Sequence, residues 1–312
     1  MTNSIRIAFT SCARIEDFPI QPQWRDIENA NPDFLLLLGD QIYMDYGMSQ
    51  TEPNGAPAGY PADKFRSVMA GKYEAQWAEP NFKSLLLHMR NKEKICGSRR
   101  IFGTWDDHDF GWNNAFGHDM KPDIYAITHG LFHQWMDCST NRPNIYCHTD
   151  IGDLARLIVL DQRSHAEAAR PACPDAVLLG DEQWEFLRDK LNHDKRYTLI
   201  CGGLSLTHGK DNWEEYEHEY QCLHDLIGRR QGVIYLGGDI HKNKLKRPGP
   251  DRPCYEIISS GLAVNYLAQK KFDFDDCHNW SYIDLSDAGI EVTQNTSGTE
   301  RREYIKYAEW WG

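Results

Sequence analysis

Hydrophobic positions along the chain gather into short continuous runs, each closed by a small or polar residue. The clearest is residues 35–45, where Leu35 to Leu38 run straight into Gly39-Asp40. An unbroken apolar run of this length predicts a strand buried on both faces. Glycine lets the backbone turn sharply as such a strand leaves its sheet, and Asp40 stands at that exit with Tyr43 three residues on. Taken alone, Asp40 suits a turn or a helix cap as well as it suits a cation or phosphate site.

The same pattern recurs. Residues 5–12 read as a strand ending in small and polar residues, and 99–115, 154–164, 197–209 and 232–243 as strands that run into loops rich in polar residues. Between them, three- and four-residue apolar spacing predicts helices over 21–31, 63–94, 122–137, 178–191 and 213–230, with Asp181 as an N-cap. Residues 255–261, 280–286 and 289–294 read as consecutive strands, and 301–311 fit either class. Alternating strands and helices predict an α/β fold, and the late run of strands predicts a second sheet. A Pro/Gly-rich loop at 51–61 lies within residues 46–95, expected to be a helical insertion that roofs a site. No repeat or linker divides the 312 residues, so a single catalytic domain is expected.

Composition narrows the function. A net charge of −12 disfavours a broad nucleic-acid-binding face, which needs clustered Lys and Arg. No apolar run reaches the ~18–20 residues of a membrane span. Nine cysteines at irregular spacing, with no C-x-x-C and no basic-then-apolar leader, predict reduced thiols and a cytoplasmic location.

Candidate chemistry clusters at the strand ends. The first ends at Cys12 and Arg14; the second at Asp40 and Tyr43; the third at Asp106-Asp107-His108-Asp109, with Asn113 and Asn114 behind. Later strands lead to Asp161 and Arg163, to His208, and to Asp239 and His241. Ligands of open α/β sheets collect outside the carboxyl ends of strands. Carboxylate, imidazole, thiol and phenol gathered there suit two metal ions that activate water against a phosphoester, one carboxylate bridging them. An arginine fork suits the phosphate oxygens. Cys12 alone would more often be a buried structural thiol, and Asp161 more often a partner for Arg163 than a ligand.

The ordered set FTSC, GDQIY, WDDHDFGWN, LDQR, GDEQ, DNWEEYEHE and GGDIH, spanning residues 9–241, is similar to the PhoD-like (alkaline phosphatase D) family of calcineurin-like metallophosphoesterases. That resemblance implies a four-layer αββα sandwich with two mixed sheets, and hydrolysis of phosphomonoesters and often diesters by a metal-bound hydroxide attacking in line. It implies iron(III) with calcium, or otherwise Mn, Zn or Mg. Asp40 would bridge the metals and Cys12 and Tyr43 would bind iron. Asp107 would bind the second metal, and His108 would contact phosphate and protonate the leaving group. Asp239 and His241 could serve either metal, His241 by analogy the iron. Arg163, Arg14 and Asn113 would meet the phosphate. His208 is a ligand or a loop histidine. The twin-arginine signal and N-terminal β domain usual in the family are not seen, and Glu215 and Tyr220 depart from its pattern. A phosphodiesterase or phospholipase-type hydrolase, or a degenerate metal-binding regulator, are the competing readings.

Overall fold

The computed structural model describes residues 4–47, 56–136, 144–168, 173, 175–209, 211–264 and 278–311. Cys138, Cys277 and the first residues of the 51–61 loop lie outside them. Two six-stranded mixed sheets form the centre. In the first, β1 (Ile5–Thr10), β2 (Phe34–Leu38) and β3 (Ile101–Thr104) run parallel. The antiparallel strands β10 (Asn279–Leu285), β11 (Gly289–Thr296) and β12 (Thr299–Lys306) extend the sheet from β1. In the second, β5 (Ala155–Val159), β6 (Tyr197–Cys201), β7 (Val233–Gly237) and β9 (Tyr255–Ser259) run parallel. The antiparallel strands β4 (Cys147–Ile151) and β8 (Asn243–Lys246) close its two edges.

Side chains alternate across each strand, so each buried strand feeds two cores. Ile7, Phe9, Leu36 and Leu38 meet Leu157, Val159, Leu199 and Ile257 between the sheets. Leu35 and Leu37 face the other way, onto α1 (Gln23–Asn29), α2 (Ala62–Ala78), α3 (Pro80–Cys96) and α5 (Pro122–Trp135). Ile158, Ile200 and Tyr235 pack beneath α6 (Asp181–Leu191) and α7 (Glu217–Ile227). The result is the αββα order of layers. This explains why the leucine run does not alternate: both of its faces are dry.

Some local expectations change. The single helix read over 63–94 is two, because Glu79 is extended ahead of Pro80 and its carboxylate accepts Phe82 N–H at 2.6 Å. These helices form the outer layer on the first sheet; at the site end, Lys72 of α2 bonds Glu16 and the Tyr46 carbonyl. Asp181 is not the cap of α6. Gly180 takes that position at φ 75°, and Asp181 is the first helical residue, at the positive end of the helix dipole. Residues 299–306 resolve the C-terminal ambiguity as a strand. The edge strands β4 and β8 carry no apolar run and were not expected. Among the described residues no helix is long and apolar enough to cross a membrane.

Candidate metal centre

The parallel strands of both sheets end at one rim, and the loops there carry the chemistry. The backbone is unusual at that rim. Cys12, Asp40, Asp239 and His241 all adopt left-handed φ, between 54° and 68°. Such a conformation costs a non-glycine residue roughly 1–3 kcal/mol and persists where the surroundings enforce it. Gly39, between Leu38 and Asp40, sits at φ 86°, and a Cβ there would lie 2.5 Å from that of Asp106. The first sheet can bring Asp40 and the Asp106–Asp109 loop together only over a glycine.

Cys12 Sγ lies 3.5 Å from Asp40 Oδ2, and the Tyr43 hydroxyl lies 3.2 Å from the same oxygen and 3.3 Å from His241 Nε2. Cys12, Asp40 and His241 offer ligand atoms that all fall within 4.8 Å of one another, and Asp40, Asp107 and His108 do the same. Asp40 belongs to both groups. One-turn helix α4 (Asp107–Phe110) holds the second: Asp107 accepts N–H bonds from His108, at 2.9 Å, and from Asn114. Asp109 accepts from Asp106 N and Gln41 N.

One buried residue was not singled out from the sequence. Asp45, last in the stretch 35–45, bonds His108 Nδ1 at 2.6 Å and accepts Asn113 N–H at 3.1 Å. It orients the imidazole so that Nε2 is left for other partners.

The remaining expected residues lie outside these two donor groups. Asp239 sits at the rim beside Gly209, outside both three-residue groups. The Asn113 side chain is exposed at the edge. His208 is partly buried, its Nδ1 within 2.7 Å of the Thr207 carbonyl oxygen. Arg14 is bonded to Asp17 and stacked 3.8 Å from the Tyr46 ring centroid. The expectation that Arg163 offers a fork to phosphate is not met in this geometry. Its side chain is 1% exposed, and its guanidinium binds Asp106 and Asp211.

The electrostatics suit cations. Burial, with neighbouring carboxylates adding, pushes the Asp40 and Asp239 carboxyls well above the ordinary range. Burial pushes Asp106 and Asp109 up to about 7. Burial and then Asp40 raise the Cys12 thiol and the Tyr43 phenol. Burial alone would lower His108, but Asp107, Asp40 and Asp45 carry it well above its ordinary value. His241 falls to about 3 through burial, His108 and Arg14. Burial pushes Asp107 up, but His108 and Arg163 outweigh it and leave it lowered. A set of oxygen, sulfur and nitrogen donors that repel one another when ionised fits bound cations, which reverse that cost.

This sets an expected result. A carboxyl whose folded pKa is raised contributes stability that is complete below its unfolded pKa and is lost as pH rises through the folded one. Asp40, Asp106, Asp109 and Asp239 have that sign; Asp107 and His241 have the opposite one, losing stability as pH falls. The metal-free protein should therefore melt at falling temperature from about pH 4 up to about 7. Metal loading should flatten the trend. Thermal melts of chelated and metal-loaded protein read it directly, and a metal-free melting temperature that climbs over this interval contradicts it.

A double-sheet αββα sandwich with such donors at the carboxyl ends of its strands is the architecture of a metal-dependent phosphoesterase. The sequence profile of the PhoD-like phosphatases matches residues 7–279. The chain belongs to that family and is a phosphoric ester hydrolase. Comparison with curated protein sequences finds no match. Among solved structures, one described as the structure of PhoD is similar at 16% identity and TM-score 0.69, covering 96% of this chain and 68% of that one. A phosphoesterase from E. coli, Yfce, is similar at 10% identity and TM-score 0.33, covering 97% of this chain and 100% of the other. Vacuolar Protein Sorting 29 from Cryptosporidium Parvum follows at 9% identity and TM-score 0.37, with coverage of 97% and 98%. At these identities the likeness bears on the fold alone, and only the first is close enough to carry weight.

Proposed function

We propose that the chain is a single-domain, dinuclear phosphoester hydrolase acting on small phosphomonoesters, with diesters as the second substrate class. The observation that carries this is the Asp40 carboxylate shared by two donor groups. Cys12, Tyr43 and His241 would complete one site with Asp40, and Asp107 would serve the other, with Asp239 nearby. Phenolate and thiolate donors favour iron(III) in the first, and the carboxylates favour calcium in the second, or otherwise Mn, Zn or Mg. When bound, the cations would supply Lewis acidity and a water acidified toward neutral pH.

The chain's own groups do the rest. Asp45 holds His108 Nδ1. An imidazolium so oriented is suited to give its Nε2 proton to a departing alkoxide. Asn113 on the rim is assigned to the substrate phosphate; Arg14, beside Tyr43, would meet it only by releasing Asp17. Asp107, fixed by two backbone N–H bonds, keeps its carboxylate in place as charge develops.

A panel of mono-, di- and triaryl phosphates, run with elemental analysis of the purified protein, tests the reading. Turnover of the monoester with two metals per chain is expected. So is a visible charge-transfer band that Tyr43→Phe removes or shifts. Metal-loaded protein inert on every ester class would instead support a degenerate regulator; only zinc or manganese would defeat the iron assignment alone.

A further inference from the structure

Three consecutive residues at the end of β3 are bonded across to the other sheet. Thr104 Oγ1 donates to the Leu160 carbonyl at 2.7 Å, and Trp105 Nε1 to Asp161 Oδ1 at 2.7 Å. Arg163 Nε then donates to Asp106 Oδ1 at 2.7 Å, with a second nitrogen of the fork on the same oxygen. The remaining arm of Arg163 reaches Asp211 Oδ2 at 2.7 Å, in the loop beyond β6. The arginine backbone is fixed as well: its N–H bonds Asp161 Oδ1 at 3.1 Å, and its carbonyl accepts Gly117 N–H at 2.8 Å. Asp106 is enclosed by glycines, since a Cβ on Gly203 would lie 2.9 Å from its Cγ. The residue that follows is Asp107. The donors of the proposed centre are split between the sheets, with Asp40 and Asp107 on the first and Asp239 and His241 on the second. Their separation therefore depends on how the two sheets are tied at this end.

We propose that Arg163, clasped between Asp106 and Asp211, is a positioning residue that sets the distance between the two halves of the metal centre and does not bind substrate phosphate. This rests on the two-metal reading above. A planar guanidinium that sets two donors on one Asp106 oxygen and a third on Asp211 fixes both carboxylates at once, as a lysine point charge does not.

The test compares Arg163→Lys and Asp211→Asn with wild type. Mn²⁺ binding to chelated protein is measured by calorimetry, alongside kcat and KM for an aryl phosphate at saturating Mn²⁺. Removing a group that orients ligands costs about 10–100-fold in metal affinity, and that loss is expected in both variants. KM should stay within about twofold of wild type once the metal is saturating. Should Arg163→Lys fail to fold, Asp211→Asn decides, because its carboxylate is partly exposed. Unchanged Mn²⁺ affinity in Asp211→Asn overturns the proposal. If Arg163→Lys also raises KM at wild-type metal affinity, Arg163 is a phosphate contact. Wild-type protein that binds Mn²⁺ but turns over no ester defeats the catalytic reading and leaves this affinity comparison intact.

Discussion

Asp40→Asn is expected to lower kcat/KM for an aryl phosphate by about a thousandfold or more, while the metal-free protein becomes more stable. Both halves follow from one carboxylate. Asp40 is 2% exposed, belongs to both donor groups, and carries the hydrogen-bond contacts of Cys12 and Tyr43. An amide is a weaker cation ligand and cannot bridge as a carboxylate does. Losing several kcal/mol of Lewis-acid stabilisation, about 4, is about a thousandfold in rate. Without metal the same carboxyl is held up in pKa by burial and its acidic neighbours, so a neutral amide removes a repulsion. Steady-state kinetics and paired melts of chelated and loaded protein measure the two effects. Near-wild-type turnover, or equal destabilisation with and without metal, would refute the assignment.

His108→Ala should cost about 10²–10⁴-fold, the range for a positioned general acid. The loss should grow with the basicity of the leaving group. An alkyl phosphate needs its proton more than a nitrophenyl phosphate does. Asp45→Asn should lose less, on the order of 10–100-fold, with the same dependence on leaving group. The Asp45 contact at 2.6 Å helps to keep the imidazole charged and directed. A His108→Ala defect equal for alkyl and aryl esters would mean that His108 contacts phosphate without giving up a proton.

Much of this architecture is legible in the sequence because dry strands advertise themselves. Leu35 to Leu38 could be buried on both faces only at the centre of a sheet between layers. The polar residue types clustered after each such run then mark the rim. What escapes is whatever acts through space without periodicity. Asp45 follows Asp40 by five residues and has no spacing rule; its importance arises only when α4 brings His108 onto it. The left-handed backbone at Cys12, Asp40, Asp239 and His241 is invisible because no sequence pattern marks it: Asp and His enter that region more often than most residues, but at any one position still uncommonly. Arg163 reads as a free phosphate fork until the β6 loop places Asp211 against it. The edge strands β4 and β8 hide because the sheet edges bury little apolar surface.

The most direct test of the two-metal centre is titration of chelated protein with the cations that elemental analysis finds in it, following aryl phosphate turnover and bound metal together for wild type and Asp40→Asn. The shared carboxylate predicts no turnover without metal, full recovery at two cations per wild-type chain, and loss of paired binding in Asp40→Asn. Full turnover in the chelated protein, recovery complete at one cation, or unaltered paired binding in Asp40→Asn would contradict it.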